Sequence, residues 1–117
     1  MSAANLFHME REGDAFILTP LVDLSELEYD EAVMQGIYAA IQDETIQRLV
    51  LDFHRTDYFG STALGFFVRL WKKMKTRGGC MTFCNVSAHE REILRITRLD
   101  ELWPLCASRE EALRVRP

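Results

Sequence analysis

Between Arg48 and Thr76 the hydrophobic period of the chain changes once, and that change restricts the folds open to it. Leu49-Val50-Leu51 is an unbroken apolar run that closes on Asp52-Phe53, short enough for a strand and too short for a helix. A polar loop follows. Gly60-Ser61-Thr62 then stands directly before Ala63-Leu64, where apolar residues begin to recur at helical spacing. A strand feeding a helix is part of a βαβ unit, whose crossover forces a parallel, right-handed connection to the next strand. Ser61 therefore falls just beyond the carboxyl end of a strand, where open α/β sheets tend to carry function.

The rest of the chain repeats this alternation after an opening hairpin. Leu6–Arg11 alternates weakly and Ala15–Thr19 is β-rich, with Glu12-Gly13-Asp14 as a tight turn between them and Pro20 ending the second strand. Ser25–Glu28 reads as a capping box with Asp30 as a rival cap, and Val33, Ile37, Ala40 and Ile41 recur at helical spacing. Gly36, beside that stripe, allows a close approach to the sheet. Thr62–Thr76 predicts a helix with Ala63, Leu64, Phe67, Val68, Trp71 and Met74 on its inner face. Gly65, Phe66, Arg69, Lys72 and Lys73 then fall on the outer face, where Phe66 is a misfit among the cations.

Arg77-Gly78-Gly79 is a helix stop, and Cys80–Cys84 reads as a short buried strand. Ser87–Glu90 is a capping box opening a helix. Leu102-Trp103 begins a last strand truncated by Pro104, and Ser108–Glu111 caps a final helix packed by Ala112, Leu113 and Val115. The expectation is an α/β fold: one domain over residues 1–117, built on a mixed, mostly parallel sheet of about five strands with four helices.

Composition removes several functional classes. A net charge of -4 argues against nucleic acid as a main partner, which needs a dense basic face. No apolar run is long enough to cross a bilayer, and the N-terminus lacks the apolar core of a signal peptide, so a cytoplasmic protein is expected. Cys80, Cys84 and Cys106 are odd in number. The first two lie about 13 Å apart on one strand, too far for a disulfide or shared metal ligation. Buried reduced thiols are the simple reading.

Motifs remove more. Asp52, His54, Asp57 and Ser61 resemble a Ser-His-Asp set in composition, but a loop separates Ser61 from the others and no G-x-S-x-G elbow exists. No catalytic residue is assigned, and an enzyme is not expected. His8, His54 and His89 are scattered without ligand spacing, so no metal site is expected, nor any cofactor. Gly78-Gly79 follows a helix and cannot cradle a phosphate at a helix start. Arg91, Arg95 and Arg98 form a solvated helix face. Ser61 itself has two readings on local grounds. It is a good N-cap, contributing about 1 kcal/mol, and capping alone could account for it. It is also a hydroxyl placed beside an outward aromatic and a basic helix face.

Residues Leu49–Gly79 resemble the STAS domain family, the fold of bacterial anti-sigma factor antagonists. That family pairs an apolar strand ending in Asp with a short loop, an aromatic, Met-Asp-Ser-Ser-Gly-Leu-Gly and a long helix. Asp52, Tyr58, Phe59, Leu64 and Gly65 match this pattern, and Ser61 and Thr62 fall on its two hydroxyl residues. Gly60 and Ala63 depart from it, standing where the family has Asp and Gly. Leu99–Leu113 resembles the family's C-terminal strand and helix.

The resemblance implies a non-enzymatic regulator that binds an anti-sigma factor/serine-protein kinase and is switched off by phosphorylation of Ser61, with Thr62 as the alternative. It implies a partner surface of Ser61, Thr62, Phe66, Arg69 and Lys73. A further reading it leaves open is a docking subunit of a transport or signalling assembly that is not phosphorylated.

Overall fold

The apolar runs of the sequence become the middle of a five-stranded sheet. The computed structural model describes residues 6–23, 31–55, 59 and 61–117. The caps expected at Ser25–Glu28 and Asp30 lie outside the described residues, as do Asp57, Tyr58 and Gly60. The strands are β1 (Phe7–Glu12), β2 (Ala15–Pro20), β3 (Arg48–Asp52), β4 (Cys80–Cys84) and β5 (Leu105–Cys106), paired in that order. β1 runs antiparallel to β2, and β2 through β5 are parallel. Among the described residues the α-helices are α1 (Glu31–Ala40), α2 (Ser61–Thr76), α3 (Ala88–Ile96) and α4 (Arg109–Ala112). This is the mixed α/β architecture the alternation requires.

Period-two alternation along the strands divides the core into two layers. Phe16, Leu18, Leu49, Leu51, Met81 and Phe83 face a large cluster shared with Val33 and Ile37 of α1, α2, and Leu94 of α3. Ile17, Val50, Cys84 and Cys106 face the other way and pack against Ala112 of α4. β2 and β3 are thus covered on both faces, which is why their sequences show no polar alternation.

The turns follow local chemistry. Gly13 sits at φ +62° in the β1–β2 turn. α2 ends at Gly78 (φ +78°), with Gly78 N–H donating to Lys75 O at 3.0 Å and Gly79 N–H to Met74 O at 2.8 Å. These are the two bonds of a Schellman stop. Gly79 is needed for a second reason: a Cβ there would lie 2.5 Å from Gln47 O, where the chain passes against the start of β3. Ser87 and Ser108 cap α3 and α4 by accepting from Glu90 N–H and Glu111 N–H.

Two sequence readings are corrected. Gly36 is exposed and mediates no approach to the sheet. The last strand is Leu105–Cys106, after Pro104 rather than before it. Trp103 is instead an anchor buried against Phe83 at 4.9 Å, and Pro104 serves the ladder through its carbonyl, which accepts Phe83 N–H at 3.0 Å. A proline lacks a donor but keeps its acceptor, so it enters the edge strand at no cost in hydrogen bonds. No described helix is long and apolar enough to cross a membrane.

Candidate functional site

Ser61 and Thr62 are the first two residues of α2, which starts one residue earlier than its apolar pattern indicated. The helix begins beyond the carboxyl end of β3. From position 61 the one-turn row runs through Gly65 to Arg69 and Lys73, and Gly65, Arg69, Lys72 and Lys73 are all exposed. A Cβ on Gly65 would meet nothing within 4 Å, so this stretch of helix presents bare backbone to solvent.

Phe66 does not belong to that surface. It is 1% exposed and packs 6.1 Å from the Phe67 ring and 6.3 Å from the Phe7 ring. The buried stripe of α2 is Ala63, Phe66, Phe67, Leu70 and Met74, while Leu64, Val68 and Trp71 form a half-buried flank. The inner face is therefore rotated by roughly 60° from the one the sequence indicated. Eight apolar residues in the segment span more than one face, and that breadth hid the phase. The surface expected around Ser61 keeps Arg69 and Lys73 and loses its aromatic anchor.

At the end of β3, on the opposite face of the sheet, lies a polar cluster centred on Asp52, which is 2% exposed. Its carboxylate accepts Asn85 Nδ2–H at 2.8 Å, Arg109 Nε–H at 2.9 Å and the His54 amide at 3.1 Å, with His54 Nδ1 also 3.1 Å away. Burial pushes the carboxyl upward, and these donors outweigh it, holding Asp52 below the ordinary carboxylate range. Arg109 extends the cluster to Glu10 at 3.0 Å and to Thr19 Oγ1 at 3.5 Å, tying α4 to β1, β2 and β3. His54 thus shares Asp52 with Asn85 and Arg109, so the carboxylate is the hub of a tie between strands and not a group reserved for orienting a histidine.

Arg109 escaped the sequence reading, which saw only the capping box around it. One signal was available: a cation in the first turn of a helix opposes the helix dipole, which implies a fixed acidic partner. All three cysteines are free. Cys84 and Cys106 are register partners on adjacent strands, and burial, helped by the Asp52 carboxylate, pushes the Cys84 thiol up to about 12, leaving it a packing group.

Comparison with known proteins places this geometry in context. The STAS domain family matches residues 21–112. BtrV of Bordetella bronchiseptica, whose name places it among candidate anti-sigma factor antagonists, is 32% identical over 79 residues, 68% of either chain. The solved structure of an anti-sigma-factor antagonist (STAS) domain protein from Planctomyces limnophilus superposes with a TM-score of 0.80 at 30% identity, over 92% of this chain and 94% of that one. SpoIIAA of Bacillus shares the fold at 18% identity, in its phosphorylated form over 92% of this chain and 96% of that one (TM-score 0.66) and in its unphosphorylated form over 92% of each (TM-score 0.71).

Proposed function

This chain belongs to the STAS domain family, and on that premise we propose that it is an anti-sigma factor antagonist-like regulator that binds an anti-sigma factor/serine kinase and is switched by phosphorylation at Ser61. It works by docking and release, not by catalysis. The observation that carries this reading is the place of Ser61: first residue of α2, beyond the end of β3, one turn before the exposed Gly65 and two before the exposed Arg69. SpoIIAA, which has the same fold, has been solved both with and without phosphate, consistent with such a switch.

The physics is that of added charge at a helix start. A phosphate brings about -1.5 to -2 charges at neutral pH. At a helix N-terminus it meets unpaired N–H groups and the positive end of the dipole, so the fold accepts it. The penalty then falls on the partner, whose docked surface must bury or repel the new charge. Thr62, the next residue, is the alternative acceptor. Arg69 and Lys73 complete the contact surface, without Phe66.

Affinity capture from the native host tests the reading. The Ser61→Ala variant retains the partner and Ser61→Asp loses it, while equal capture by both removes the switch. Gly60, standing where the family carries an acid, favours a second reading: a constitutive docking subunit of a transport or signalling assembly. That version yields a stable complex insensitive to phosphatase.

A further inference from the structure

The outer face of α2 carries more charge than the Ser61 region needs. The helix holds no acidic residue, and its Arg69, Lys72, Lys73 and Lys75 are all exposed in a chain whose net charge is -4. Arg11, Arg48, Arg95 and Arg109 each sit against a carboxylate. Among the described residues none of those four α2 cations does. A hollow of about 430 Å³ opens between α1 and α2 and another of about 260 Å³ between the end of α2 and Glu44, and Lys73 and Arg77 line both. The Lys73 ammonium lies 4.6 Å above the Tyr38 ring of α1, and the Arg69 guanidinium rests 3.4 Å from Met34 Sδ. Arg77 is held by the carbonyls of Ile41, Asp43 and Ile46. Arg69, Lys73 and Arg77 are thus positioned by neutral groups, and among the described residues none of the three is in an ion pair with a carboxylate.

We propose that this α1–α2 groove is the docking site for an acidic protein segment, with carboxylates spaced one helical turn apart that reach the exposed Arg69 and Lys73. The inference rests on the partner-binding reading above and gives the partner's contact segment a chemistry. Spacing sets the match: Arg69 and Lys73 are one turn apart, about 6 Å along the axis, which a partner helix with Glu at i and i+4 reproduces. Glu44 lines the far hollow, so the acidic stretch favours the Arg69 side of Lys73, toward the Ser61 end of α2. Phosphate at Ser61 would then repel the same segment that α2 attracts. Four cations on one helix are too few to track a nucleic-acid backbone, and the other exposed residues described on that helix, Gly65 and Thr76, offer a membrane nothing apolar to insert.

The test uses the full chain and a fluorescein-labelled helical 18-residue peptide with Glu at i, i+4 spacing on one face, compared with its Gln analogue by fluorescence anisotropy. The Glu peptide binds about 10-fold more tightly than the Gln analogue and weakens as salt rises. The double variant Arg69→Glu/Lys73→Glu loses that binding by about 10-fold with its circular dichroism unchanged, while Arg98→Glu, on the solvated face after α3, leaves it intact. Equal binding of the two peptides, an unaffected double variant, or uptake by anionic phosphatidylglycerol vesicles without binding of the peptide each overturns the proposal. Loss of the groove result with Ser61-dependent capture preserved removes the acidic segment alone. Loss of Ser61 dependence with groove binding preserved removes the switch alone.

Discussion

Phe66 is where residue-scale reasoning from the sequence failed, and the reason is geometric. A helix with eight apolar positions has several candidate inner faces, and only the neighbours, here Phe7 and Phe67, select one. Truncating Phe66→Ala should therefore cost about 3–5 kcal/mol in urea denaturation, as a core phenylalanine does, whereas an exposed anchor would cost almost nothing. Asp52 was legible as the acid closing β3, but its partners were not, because Asn85 and Arg109 come from distant sequence. Its folded-state pKa lies below the unfolded value, so its contribution to stability is complete above roughly pH 4 to 5 and is lost as pH falls through the folded value. Denaturation midpoints followed from pH 7 to pH 3 should fall more steeply for the wild type than for Asp52→Asn. That variant should already be about 1.5–3 kcal/mol less stable at pH 7, since it loses a charged acceptor. Parallel curves would deny Asp52 this role.

At the scale of elements, most of the architecture could be read in advance. Strand runs, capping serines at 87 and 108 and the glycine stop at 78–79 are local signals, and each acts locally in the structure. β5 was misplaced because a two-residue strand has no period to read, and Pro104 looked like a terminator when its carbonyl is what pairs. Gly65 is an element-scale anomaly: an exposed glycine inside a helix, with open space where a side chain would sit. Gly65→Ala should stabilise the fold by about 0.5–1 kcal/mol through helix propensity, read by thermal or urea melting. If bare backbone at this point serves a partner that approaches closely, the same change weakens docking. A stabilised variant that docks as well as wild type would leave the glycine without a contact role.

For the whole molecule, the sheet and its two buried layers form a platform, and α2 is the part of it addressed outward. The buried stripe from Ala63 to Met74 fixes the helix on the sheet, while the row from Gly65 through Arg69 and Lys73 faces solvent. On the reading proposed above, a charge added at the head of α2 changes the surface and leaves the core as it was. The decisive measurement is a paired one on fully Ser61-phosphorylated and unmodified protein: calorimetric Kd for the captured partner, and Tm for each form alone. The account predicts a Kd weakened at least ~100-fold, about 2.7 kcal/mol, with Tm values within about 3 °C of each other. Equal affinities, or a phosphorylated form that has lost its melting transition, would contradict it.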